Sequence, residues 1–356
     1  MANQVLYGLS NYADVAQRLV TEVGVGLVNS AVQQFVQEHT RQLDALTSLF
    51  VDRTTDFKLR FTTPVAGRLQ PLDENGRARP VLAYAAYDVS WPLQMAGTAW
   101  GANYIAMQKM TVQQVNDLAD ARAVEDTRWM RDHILGSLFY NTSWTWNDPV
   151  HGALTIQPLA NGDSQTYGML LGDDVRATDT HYLAQAAAIA DAANPFPTIA
   201  EELNQHPENS GEVVVFVPTG LLGDIRGLTN FYPVRDNNIS EGTATATLTG
   251  TLGVSVPGEL VGYVDGCWIV HWRYMPANYM IAVTTDGERP LRMRQEPEAS
   301  LQGFQFVATR PDYPYEERQF LRIAGFGAWN RVGALVYRIG NASYAVPAPY
   351  TVMPMA

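Results

Sequence analysis

Cys267 and His271 are the residues whose types could do nucleophilic chemistry together, a thiol activated by an imidazole. They lie in Cys-Trp-Ile-Val-His, a β-favouring run in which four steps of about 3.3 Å hold the two residues ~13 Å apart. A base must reach its nucleophile within hydrogen-bond distance, so the pair is expected to be inert. Other motifs are weaker. Gly24-Val-Gly26 and Gly325-Phe-Gly327 lack the third glycine and the strand–helix setting of a dinucleotide loop. No Walker loop, His-Glu-x-x-His or Gly-x-Ser-x-Gly occurs. Asp173, Asp174 and Asp179 read as a solvated acidic loop cluster, and Glu201-Glu202 and Glu316-Glu317 as carboxylate pairs of ordinary frequency. The six histidines are scattered and read as structural, and no Cys/His spacing suits zinc. The sequence assigns no catalytic, cofactor-binding or metal-binding residue, and predicts a protein that is not an enzyme.

Composition points the same way. The 356 residues are enough for two domain-sized cores, and 46% hydrophobic with 17% charged residues describes a folded chain somewhat poor in charge. Little surface charge favours burial against other subunits. Acidic residues number 36 against 24 basic ones, for a net charge of −12. That balance excludes a dedicated nucleic-acid binder, which needs a basic patch, but suits an inner wall along which phosphates slide. A lone cysteine excludes an intrachain disulfide. The polar start after Met1 predicts no signal peptide, and no apolar run approaches the ~18 residues of a membrane span.

The elements that would position any site come in an unusual order. Thr111 opens a helix with a capping-box pattern, Thr-Val-Gln-Gln, and Val112, Val115, Leu118, Met130, Ile134 and Leu138 carry its apolar face. Running from Thr111 to Tyr140, it would span ~45 Å at ~1.5 Å per residue. Ahead of it the period changes to two over Lys58–Thr63 and Val81–Trp91, predicting a long hairpin from Phe57 to Ala106 with turn chemistry at Asn75-Gly76. The loop between these runs has too few apolar residues for a core of its own, and loops this long are usually functional or disordered. Further upstream, Val28, Val32, Phe35, His39, Leu43, Leu46 and Phe50 form one stripe on a helix, with Gly24 and Gly26 setting off a shorter helix near Ala13 to Val20. The stripe fits a core helix and a docking arm equally. Downstream, strands are expected at Ala153–Gln157, Glu212–Pro218, Gly262–Trp272, Tyr279–Val283, Leu301–Thr309, Gln319–Phe326 and Gly333–Ile339. Helices are expected near Thr180–Ala193 and Thr219–Leu228, and a polar β-prone excursion at Asn237–Gly253.

This order resembles the major capsid proteins of tailed bacteriophages, the Hong Kong 97-type family. The resemblance rests on layout over nearly the whole chain: arm, extended hairpin, spine helix, then Glu212-Val-Val-Val-Phe-Val-Pro218 and Met275-Pro-Ala-Asn-Tyr-Met-Ile-Ala-Val283 ahead of Pro290-Leu-Arg-Met-Arg294. Gly303-Phe-Gln-Phe-Val307 through Arg322-Ile-Ala-Gly-Phe-Gly327 resembles the return to the peripheral domain, and Gly333–Ile339 the closing strand. It implies an α+β fold. Its parts would be an N-terminal arm (1–56), an extended loop (57–108), a peripheral domain (109–154 and 285–328) and an axial domain (155–284 and 329–356).

The same resemblance implies a self-assembling icosahedral shell around double-stranded phage DNA, located in the virion and assembled in the host cytoplasm. Partners would be the chain itself, in hexamers and pentamers, with portal, scaffold and decoration proteins beside it. No membrane and no cofactor are implied. An encapsulin-like compartment shell is the nearest alternative, and a β-rich carbohydrate hydrolase is the alternative from another class. Some relatives weld their shells through an extended-loop lysine. Here the tip offers Arg68, Arg77 and Arg79, and the only lysines are Lys58 and Lys109. A guanidinium stays protonated and is a poor nucleophile, so non-covalent contacts are expected instead. Arg77 and Arg79 facing Asp312, Glu316 and Glu317 of a neighbour would supply intersubunit ion pairs, and Phe35 and Leu43 of the upstream stripe would supply apolar docking.

Overall fold

The computed structural model describes residues 6–7, 10–64, 71–77, 84–169, 176–234, 256–312 and 315–355. Two short helical turns, Tyr12–Val15 and Val20–Val23, precede helix α1 (Val25–Thr47). Gly24 separates them at φ 104°, a value that L side chains adopt only under strain. Strand β1 (Val51–Thr54) follows, then an antiparallel ribbon of β2 (Lys58–Pro64) and β3 (Tyr84–Ser90). Strand β4 (Gln94–Asn103) leads to the long helix α2 (Val112–Phe139).

Next come the hairpin β5 (Trp144–Asp148) and β6 (Gly152–Ile156), the short strand β7 (Tyr182–Gln185), helix α3 (Phe196–Asn204) and strand β8 (Asn209–Val217). Helix α4 (Leu222–Arg226) and strands β9 (Phe231–Pro233), β10 (Glu259–Val264), β11 (Cys267–His271) and β12 (Tyr279–Gly287) carry the chain onward. It closes through β13 (Leu291–Arg294), β14 (Phe304–Asp312), β15 (Tyr315–Ala328) and β16 (Ala334–Ile339).

Helix α2 forms where the apolar spacing put it. Thr111 accepts from the Gln114 N–H, and the Gln114 side chain accepts from the Thr111 N–H, which completes the capping box. Its first half packs on α1 and its second half on the junction of two sheets.

The larger sheet runs β7-β16-β12-β8-β11-β10-β9. Both of its faces are covered, which explains the uninterrupted Val213-Val-Val-Phe-Val217 run. Val214 and Phe216 point towards α2, while Val213, Val215 and Val217 meet Ile199, Leu203 and Ile225 of α3 and α4. The smaller sheet runs β14-β15-β13-β1, with β4 also paired to β15.

Two expectations are corrected here. Residues 94–103, expected within the extended hairpin, leave it after Trp91 and pair with β15 from Gln94↔Ala324 to Asn103↔Tyr315. The free ribbon is therefore shorter than Phe57 to Ala106. Residues 180–193 form no helix. Tyr182–Gln185 instead pair in parallel with Val336–Ile339, and only Asp191–Ala193 make a single 3₁₀ turn. Pairing with a strand about 150 residues away overrides the local alanine propensity. The Asn237–Gly253 excursion lies outside the described residues.

Candidate assembly surface

The ribbon is fixed at its base and open at its tip. Phe61 and Tyr87 stack at 5.1 Å, and Phe61 meets Trp329 edge-on at 4.8 Å. The Tyr87 hydroxyl donates to the Trp329 carbonyl, and the buried Trp91 indole donates to Gly327 O. Arg294 donates to Trp91 O and to Asp148, so the point where the chain leaves the ribbon is held by a charged hydrogen bond in the interior. Gly325 packs so closely there that a Cβ would sit 2.1 Å from Pro92 O.

At the other end, Pro71–Arg77 are all exposed. Their order is local. Asp73 Oδ1 accepts from the N–H groups of Asn75 and Arg77, and Gly76 takes φ 73° in the turn. The Asn75-Gly76 turn is thus formed, and Arg77 projects from it without an interior partner. Arg68 and Arg79 lie outside the described residues.

The carboxylates expected opposite these arginines sit at the tip of the β14–β15 hairpin, where Asp312 pairs with Tyr315 and Pro311 with Glu316. Glu317 is exposed, while the side chains of Asp312 and Glu316 lie outside the described residues. Among the described residues no ion pair joins Arg77 to Glu317 within the chain. Arg318 is buried with its guanidinium 4.9 Å from the Trp100 ring centroid. Beside this tip the outward face of β4, β15 and β14 carries Met95, Gly97, Ala99 and Val307. Met95 is 72% and Val307 53% exposed.

Phe35 and Leu43, expected to dock on other subunits, pack within the chain itself. The α1 stripe is spent inside the chain: Val28, Val32 and Val36 pack on Val112, Val115 and Phe320, with Phe35 half-buried against the same cluster. Leu43 is buried with Met130 and Ile134. His39 Nε2 donates at 3.0 Å to Asp126 of α2, whose carboxylate also takes two N–H groups of Arg322.

The residues examined for chemistry fall out differently. Cys267 and His271 sit at opposite ends of β11, as spaced. Burial pushes the Cys267 thiol up to about 12, and His271 instead meets the Thr219 hydroxyl at 2.9 Å. Asp179, read as a solvated carboxylate, is enclosed: its side chain is 11% exposed and lies against the wholly buried His181 and His206. Burial alone would raise its carboxyl, but the two imidazoles beside it outweigh that and hold it far below the usual range. The sequence signal was Asp179-Thr-His181, two like-facing side chains on a strand entry; His206, after α3, had none. Asp173 and Asp174 lie outside the described residues.

No family model matches the sequence, and no curated protein is similar to it. Solved structures are similar. One, from Mycobacterium phage Patience, superposes with a TM-score of 0.69 at 20% identity, covering 99% of this chain and 98% of that one. The capsid structure of the Cyanophage P-SCSP1u gives 0.50 at 9% identity, over 82% of this chain and 87% of that one. With its spine helix, projecting ribbon and two sheets, this chain has the Hong Kong 97-type fold of tailed-phage capsid proteins.

Proposed function

We propose that the chain is a major capsid protein, a structural subunit that assembles with copies of itself, as hexamers and pentamers, into an icosahedral shell around double-stranded phage DNA. The ribbon carries this reading. Its base is locked into the interior and its tip is wholly exposed, with no apolar residue but Leu72 among Pro71–Arg77. A solitary enzyme has no use for such an arm, whereas a subunit that must reach its neighbour does. The acidic net charge of −12 supports enclosing DNA without reading it.

In this proposal residues 1–56 form the arm, although β1 is stitched in parallel to β13. The extended loop is 57–93. The peripheral domain gathers 94–154 with 285–328, and the axial domain 155–284 with 329–356. Neighbours meet through the tip arginines Arg68, Arg77 and Arg79 against Asp312, Glu316 and Glu317. Portal, scaffold and decoration proteins complete a virion assembled in the host cytoplasm.

Electron microscopy of the purified protein tests this directly, together with an assay for nuclease-protected DNA in particles made during infection. Uniform closed shells are expected, and a monomer in light scattering would overturn the reading. Deleting Val65 to Arg79 is expected to leave soluble subunits and abolish closed shells. Normal particles from that deletion would refute the role given to the loop.

A further inference from the structure

Asp179, His181 and His206 bring three electron-pair donors to one point. His181 Nδ1 lies 2.7 Å from Ala334 O and His206 Nδ1 3.0 Å from Gly168 O. A carbonyl oxygen only accepts, so each Nδ1 carries a proton, and in the neutral tautomer each ring presents a bare Nε2. Those two Nε2 atoms are 3.2 Å apart. Asp179 Oδ2 lies 2.8 Å from the one on His206 and 3.3 Å from the one on His181. Both imidazoles are wholly buried. In that tautomer three lone pairs face one another in the interior, and they repel strongly unless a proton or a metal ion stands among them.

We propose that these three residues bind one divalent ion of the zinc class. Around a tetrahedral ion with bonds of about 2.0–2.1 Å, adjacent ligand atoms lie about 3.3 Å apart. Two of the observed edges already match, and the third opens by a few tenths of an ångström. Two imidazole nitrogens with one carboxylate oxygen suit zinc or a neighbouring transition metal. Calcium and magnesium take oxygens. An Nδ1–H donated to a backbone carbonyl is how proteins orient a ligating histidine, and here both rings have it.

The ion's place in the fold gives it a structural task. Asp179 and His181 stand at the entry to β7, the edge strand of the larger sheet, and His206 follows the end of α3. Their carbonyl partners belong to the strand pair at Gly168 and to the first residue of β16. One ion therefore clamps the sheet edge to the helix beneath it. The inference does not depend on the shell reading.

The test uses the untagged full chain. Elemental analysis is followed by removal of metal with a chelator, then titration with Zn²⁺ by calorimetry and with Co²⁺ by visible absorption. We expect one equivalent per chain, a tetrahedral cobalt spectrum, and a melting temperature that falls on chelation and recovers with Zn²⁺. His206→Gln keeps an amide that can donate to Asp179, and should lose affinity at least 100-fold along with the zinc response. If that variant does not fold, the wild-type cobalt spectrum decides alone. A chain that takes up no stoichiometric metal and melts identically with and without chelator holds a proton at this point instead, and overturns the proposal. So does equal binding by the folded variant.

Discussion

Replacing Asp126 with Asn removes one charge and almost no volume from the place where α1, α2 and β15 meet. Asp126 and Arg322 are 5% and 2% exposed. The guanidinium grips the carboxylate through Nε and through Nη2 at 2.7 Å, while His39 of α1 sits 3.0 Å from the same Oδ2. In the variant a buried guanidinium is left uncompensated and faces an amide that also offers protons. Breaking a buried pair by removing one partner costs about 3–5 kcal/mol. With an m-value of about 3 kcal/mol per M in urea, the unfolding midpoint falls by about 1–1.7 M. Urea titration of the isolated subunit, read by tryptophan fluorescence with Trp129 one turn away, measures it. Asp126→Leu combined with Arg322→Met removes both charges, and most of the loss should return. A midpoint shift below about 0.3 M in the single variant would refute the reasoning, as would a double variant no better than the single.

The same carboxylate predicts an acid limb. Burial pushes the Asp126 carboxyl up, but hydrogen bonds from His39 and Arg322 outweigh it and hold the folded value below the ordinary one. A depressed carboxyl contributes stability that is complete above its unfolded pKa of about 3.9 and is lost as pH falls through the folded value. The wild type should therefore lose stability below about pH 4 more steeply than Asp126→Asn does.

Two further outcomes follow from other contacts. Gly325→Ala would place a Cβ 2.1 Å from Pro92 O, a backbone atom, so β15 and the ribbon exit must part; a loss of about 1–3 kcal/mol in thermal unfolding is expected, and an unchanged midpoint would contradict the close packing. Arg77→Glu with Arg79→Glu should lower the melting temperature of assembled particles, and adding Glu316→Arg with Glu317→Arg should restore part of it. Each exposed pair contributes only about 0.2–1 kcal/mol, so the effect belongs to the repeated shell and should be absent in the free subunit.

What was legible in the sequence was what local forces decide. The capping box and the apolar spacing of Val112–Leu138 specify α2 without help from the rest of the chain, and a run of five apolar residues at Val213–Val217 could only be a strand covered on both sides. The elements that were misread are held by distant partners. Tyr182–Gln185 become a strand because β16 offers its edge, and Gln94–Asn103 turn away from the ribbon because β15 does. Helix α3 was legible and was passed over: Phe196, Ile199 and Leu203 keep a helical spacing behind Pro195 and Pro197, and Asn194 accepts from the Phe196 N–H. Proline at a first turn starts a helix as readily as it ends one. The Asp179–His181–His206 cluster needed His206 carried across from α3, which no spacing in a single sequence reveals.

The charged groups that join elements in the interior are arginines, not lysines. Both lysines, Lys58 and Lys109, are exposed, whereas Arg294, Arg318, Arg322 and Arg331 are buried. A planar, weakly hydrated and permanently charged fork can join elements far apart in sequence, where an ammonium would stay in water or lose its proton. Arg322 ties β15 to α2. Arg294 ties β13 to the β5–β6 hairpin and the ribbon exit. Arg331 donates to Pro158 O, Leu159 O and Asp163, with Tyr87 of the ribbon 5.8 Å from its guanidinium. Each of these bonds lies at or behind the ribbon's base. The ribbon's base is therefore tied into the body of the chain through Arg294 and Arg331.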